Sequence, residues 1–142
     1  MVRNIRSIFT VLAMAVFALV MATPASADAD DSLFVNLTTD EGHRANMAFT
    51  FSKAVLERGH PVSIWLNDKG VLLASKVHSG KFADQQKTLA EMISKGVTVI
   101  VCPFCMDHYG VKDGDLIAGA KVGNPELTGG LLFRDDTKTL SW

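Results

Sequence analysis

The chain has 142 residues, fourteen Lys+Arg against fifteen Asp+Glu, a formal net charge of −1 and 48% hydrophobic residues. It carries no basic excess to neutralise a nucleic-acid backbone, and no polybasic block or basic amphipathic helix to dock on anionic lipid. A protein or a small molecule is the partner this composition predicts.

The first element in chain order is a leader. MVRNIRS places Arg3 and Arg6 before any acid, and the apolar run IFTVLAMAVFALVMA follows. That run is shorter than the roughly 20 residues of a membrane span. It ends at Pro24 and the small residues Ala25, Ser26 and Ala27, the pattern a signal peptidase reads. The expectation is a signal peptide over 1–27, cleavage after Ala27, a periplasmic or secreted product and no membrane attachment thereafter. Loss of Arg3 and Arg6 leaves twelve bases against fifteen acids, a net charge of −3. Residues 28–142 suffice for one domain with its own core.

Along that domain, LFVNLTT (33–39) is a short apolar run that predicts a buried strand. HRANMAFTFSKAVLERG (43–59) predicts a helix with Ala45, Ala48, Phe49, Phe51, Ser52, Val55 and Leu56 on one face and Gly59 at its end. PVSIWL (61–66) is the second strand, VLLASKVH (71–78) a short helix, and DQQKTLAEMISKG (84–96) a longer helix closed by Gly96. VTVIV (97–101) is almost wholly β-branched, as expected of a strand covered on both faces. LIAGAKVG (116–123) contains a further strand, Asn124-Pro125 starts a helix through NPELTGGLLF, and TKTLSW (137–142) closes the sheet. Alternation of strand and helix predicts a three-layer α/β sandwich with a mostly parallel sheet of about five strands and helices on both faces.

In such a sheet the loops that leave strands for helices open on the carboxyl edge, where ligands bind. VCPFCMDHYG (101–110) lies there and holds the chain's two cysteines, Cys102 and Cys105, with His108 three residues further on. Backbone N–H groups at a helix start and a protonated imidazole one turn away both favour a thiolate, so the spacing predicts a lowered pKa at Cys105. TTDEGHR and NDKG open on the same edge and bring His43, Arg44, Asn67, Asp68 and Lys69 into the neighbourhood, the first four as substrate-binding candidates.

The order of elements, and above all VIVCPFCMDHYGVKDGDLIAGAKV, resembles the DsrE/DsrF-like (YchN/TusD-like) sulfur-relay family. The resemblance spans nearly all of residues 28–142, and its most specific part is Cys102-x-x-Cys105-x-x-x-x-Gly110. It implies a parallel α/β sandwich, assembly as a homo-oligomer (trimer or hexamer), and sulfur carried as a persulfide on Cys105, the position that matches the recurrent family cysteine. Cys102 matches the additional cysteine of the YchN-like branch and is expected to resolve or gate that sulfur, with His108 beside the pair. No cofactor is implied, because the cysteine sulfur is itself the carrier, and the partners are a sulfur donor and acceptor, either proteins or small sulfur compounds. In an oxidising compartment the pair can also rest as a disulfide.

Two other chemistries are open to this loop. Cys-Pro-x-Cys after a strand is a disulfide-oxidoreductase arrangement of the thioredoxin kind, although there the pair follows an early strand rather than a third one. Cys102, Cys105, Met106 and His108 are also soft ligand types that suit Cu(I), or zinc with a fourth ligand from His43 or His78.

Overall fold

The computed structural model describes residues 31–142, and the leader expected over 1–27 lies outside them. Five strands form one sheet: β1 (Ser32–Leu37), β2 (Val62–Leu66), β3 (Thr98–Val101), β4 (Lys121–Val122) and β5 (Thr137–Ser141). Their order is β4-β3-β2-β1-β5 and every pairing is parallel. Four α-helices provide the crossovers: α1 (Gly42–Glu57), α2 (Ser79–Ser94), α3 (Pro103–Tyr109) and α4 (Pro125–Leu132).

Strands β1 to β4 advance one step at a time in a single direction, so right-handed crossovers put α1, α2 and α3 on the same face. The connection from β4 to β5 runs back across the whole sheet and carries α4 to the opposite face. Leu33, Val35, Leu37, Val62, Ile64, Leu66, Val99 and Val101 alternate onto the first face and pack with Ala45, Ala48 and Phe49 of α1 and Phe82, Leu89 and Met92 of α2. Phe34 and Ile100 are equally buried but lie outside that cluster, with Trp65 tilted against Phe34 at 6.3 Å between ring centroids. The layers are uneven: α4 has eight residues, none fully buried.

The α/β sandwich read from the sequence is present, with local differences. VLLASKVH forms no α-helix; residues Asp68–Ala74 and Lys76–His78 are 3-10 turns, and α2 opens with an extra turn from Ser79 that breaks at Phe82 (φ −120°, ψ 25°), so its regular part starts close to the Asp84 that the periodicity indicated. Val71, Leu73 and Ala74 are all fully buried, and the narrower, more extended 3-10 winding, with about three residues per turn, presents them to the core. LIAGAKVG supplies two strand residues, Lys121 and Val122, because Leu116 bridges back to Ser75 and Ile117 donates its N–H to Ala74 O. Phe51, assigned to the inner face of α1, is 45% exposed and packs on Trp142 instead.

Candidate thiol site

The cysteine loop follows β3 at the carboxyl edge. Cys102 is the N-cap of α3, with extended backbone (φ −67°, ψ 116°), and Pro103 takes the first helical position, where its missing N–H costs nothing. Gly110 ends the helix in the left-handed conformation at φ +70°, which a glycine adopts without a Cβ penalty. Between these stops α3 is seven residues long. Met106 is buried in the core and anchors the helix, while Phe104 is 82% exposed.

Cys102 and Cys105 are both half-buried free thiols. The Cys105 N–H donates to Cys102 Sγ at 3.4 Å, and the Asp68 N–H donates to Cys105 Sγ at 3.1 Å. The Asp68 carboxylate in turn accepts from the Tyr109 hydroxyl. This closes a ring of contacts from α3 to the 3-10 turn after β2 and back. Asp68 has φ +45°, a left-handed conformation that Asp tolerates better than most side chains.

These contacts reverse the acidity expected at Cys105. Burial first, and then the hydrogen bond with the Cys102 thiol, push Cys105 up to about 11, against the pull of the Asp68 N–H. The first-turn N–H assigned to Cys105 by sequence reasoning is its own, and it points at Cys102. His108 is exposed and rests edge-on against Tyr109, with ring centroids 4.7 Å apart. It makes no hydrogen bond to either sulfur among the described residues.

Of the substrate-binding candidates, the structure brings Asp68 to Cys105. Asn67 turns its amide to Asn36. His43 and Arg44 are exposed on the first turn of α1, where their N–H groups donate to the Glu41 carboxylate at 2.9 and 2.8 Å. These two bonds hold the Glu41 carboxyl below its usual range. Lys69 is exposed beside Asp68.

Tyr109 escaped the sequence analysis. Its signal was the i,i+4 spacing from Cys105, which places the two side chains on one face of α3. The soft-metal set is not assembled: Met106 is in the core, and among the described residues no three of His, Cys, Asp and Glu are grouped to hold a metal ion.

A parallel sheet presenting a cysteine pair at its carboxyl edge defines an α/β thiol protein. Residues 30–131 match the profile of the DsrE/DsrF-like family, and the chain belongs to that family. It is 35% identical to the uncharacterized protein MJ0989 of Methanocaldococcus jannaschii over 80 residues, 56% of this chain and 70% of the relative. Among solved structures it resembles the ychN protein of E. coli, with TM-score 0.67 at 17% identity, covering 80% of this chain and 99% of the other. It also resembles the protein of unknown function MTH1491 of Methanobacterium thermoautotrophicum, with TM-score 0.64 at 13% identity over 80% of this chain and 100% of that one. A third likeness is the conserved protein of unknown function BT1422 of Bacteroides thetaiotaomicron, with TM-score 0.62 at 23% identity over 79% and 95%. At these identities the solved structures establish a shared fold.

Proposed function

We propose that the protein is an exported sulfur carrier in which Cys105 bears the sulfur as a persulfide and Cys102 governs its release. The observation that carries this reading is the placement of Cys105 Sγ at the carboxyl edge, half-buried, with the Asp68 N–H on it and Cys102 one turn away. Membership of a family commonly linked to sulfur relay supports it.

The chemistry balances without a redox cofactor. The Cys105 thiolate attacks the terminal sulfane sulfur of a donor persulfide or polysulfide, forms a new S–S bond, and the donor leaves as its thiolate, one sulfur shorter. An acceptor thiolate can then attack the outer sulfur and displace Cys105 thiolate. Alternatively, Cys102 thiolate attacks Cys105 Sγ and expels HS⁻, leaving a Cys102–Cys105 disulfide that an external dithiol reduces.

A thiol with a raised pKa is a poor leaving group, so sulfur loaded on Cys105 is held until a suitable acceptor arrives. A disulfide oxidant of the thioredoxin kind gains from the opposite shift, a depressed pKa at the attacking cysteine. At Cys105 the shift runs the other way and slows attack by this thiol in either chemistry, so the carrier is preferred for its retention of bound sulfur and for the family to which the chain belongs.

Export rests on the basic, apolar and small-residue pattern of residues 1–27. Assembly as a trimer or hexamer is part of the same reading and is supported by apolar groups left outside the core, Phe51, Phe133 and Leu140 among them.

Native and denaturing mass spectrometry of protein recovered from its own compartment tests the whole reading. We expect a chain starting at Asp28, an oligomer mass, and one added sulfur on Cys105 after polysulfide treatment. Cys105→Ser should lose that sulfur, while Cys102→Ser should keep it and release it more slowly. Full loading in Cys105→Ser would place the chemistry on the other thiol and overturn the assignment.

A further inference from the structure

Among the described residues, one hydrogen bond reaches the Cys105 sulfur from outside its own helix, from the Asp68 N–H. That donor is a backbone group at a left-handed residue, exposed, and at the first position of a 3-10 turn. The later part of that turn is fixed by burial of Gly70, Val71, Leu73 and Ala74, whereas Asp68 and Lys69 at its start are exposed, and Asp68 has no packing of its own to hold its N–H on one sulfur. The side chain of the same residue, however, is bound by Tyr109 from α3. Cys105 and Tyr109 thus grasp the backbone and the side chain of a single residue from the same helical face.

We infer that Tyr109 and Asp68 act as a positioning pair for Cys105: the Tyr109 hydroxyl fixes the Asp68 carboxylate, which keeps the Asp68 N–H on the sulfur and offsets the carboxylate charge beside it. The inference deepens the carrier reading and rests on it for its biological meaning, though not for its test. Its chemical content is a balance of two opposed effects from one residue. The Asp68 N–H favours the thiolate by donating to it, while the Asp68 carboxylate disfavours it through like charge. The phenol tips the balance toward the N–H by drawing the carboxylate into a charge-assisted hydrogen bond.

The surroundings are consistent with this division of roles. Cys102 is the other titratable group on Cys105. From the loop after β1, Asp40 acts on Tyr109 through its charge, and is itself hydrogen-bonded to Lys81 of α2 at 2.8 Å. Lys69 adjoins Asp68 on the 3-10 turn and acts on Asp40, and Asp107 and His108 flank Tyr109 on α3, with His108 edge-on to its ring. The Asp68 carboxylate is the first cause of the upward shift of Tyr109, to about 12.

Two substitutions separate the effects because they act with opposite sign. Tyr109→Phe leaves the carboxylate bare and its backbone untethered, and both changes disfavour the thiolate. Asp68→Asn keeps an oxygen to accept from Tyr109, tolerates the left-handed backbone and keeps the N–H, but removes the charge.

The test is the pH profile of Cys105 alkylation by iodoacetamide, followed on the Cys105 peptide by mass spectrometry in the intact chain. Tyr109→Phe should move the midpoint up by about one pH unit, a tenfold slower reaction at any fixed pH below it, and Asp68→Asn should move it down. A second readout is available because Tyr109 is the chain's single tyrosine. Its phenol titration, followed by ultraviolet absorbance, should shift to lower pH in Asp68→Asn, and this needs no change at Tyr109 itself. Midpoints that move in the same direction in both variants, or an unchanged phenol titration in Asp68→Asn, would overturn the inference. Polysulfide loading, measured separately, reports on the carrier reading and leaves the alkylation result standing.

Discussion

Gly70 links the fold to the thiol site, and Gly70→Ala tests that link. Gly70 is buried in the 3-10 turn two residues after Asp68, and its N–H donates to Asn67 O at 2.9 Å. A Cβ at this position would lie 2.3 Å from the carbonyl oxygen of Leu37 and 3.2 Å from its carbon. Leu37 cannot retreat easily, because it ends β1 in register with Leu66 and its carbonyl accepts from the Asn67 N–H at 3.0 Å. The 3-10 turn must therefore move by something on the order of an ångström, and overpacking of this kind costs about 1–3 kcal/mol. At about 4–8 °C for each kcal/mol in a small domain, melting should fall by about 4–24 °C.

The displaced turn carries Asp68, so the N–H on Cys105 should be lost together with the stability, and alkylation of Cys105 at fixed neutral pH should slow. Thermal unfolding by circular dichroism and peptide-level alkylation measure the two effects on one sample. Gly80→Ala is the control, because a Cβ there meets nothing within 4 Å and lies in the first turn of α2, where alanine is the better helix former. A Gly70→Ala protein as stable as the parent, with unchanged Cys105 reactivity, would refute the claim that close backbone approach at this glycine holds the site together.

Two further predictions concern the buried groups. The Cys105 thiol is raised from 9.0 to about 11, so the folded state holds its proton more firmly than the unfolded chain; this contribution is complete below pH 9 and is lost as the pH rises through 11. Denaturation midpoints should accordingly fall more steeply between pH 9 and 11 in the parent than in Cys105→Ala, and superimposable profiles would contradict the raised pKa. Ser52 is fully buried on the inner face of α1 and its hydroxyl has no hydrogen-bond partner among the described residues, so Ser52→Ala should raise stability by about 1 kcal/mol, read as a higher urea midpoint at constant slope. A lower midpoint in Ser52→Ala would mean that the hydroxyl is satisfied in the folded protein.

How much of this was legible in the sequence follows the range of the interactions. The β-branched run at 98–101, the Asn124-Pro125 start of α4 and the Gly96 stop of α2 are written in residues that touch their own neighbours, and each element appears where that local chemistry puts it. The carboxyl-edge placement of Cys102 and Cys105 was legible for the same reason, since a strand followed by a cysteine, a proline and a short helix has one outlet in a parallel sheet. The acidity of Cys105 was not. It depends on how deeply the sulfur is buried, on which N–H points at which sulfur, and on Asp68, 37 residues away in sequence. Likewise VLLASKVH carries apolar spacing compatible with a helix, yet the core takes Val71, Leu73 and Ala74 in a tighter turn held to the end of β1 at Gly70. Periodicity records which face of a segment is apolar, whereas the path of that segment and the protonation of a half-buried thiol are set by partners that only the folded chain brings together.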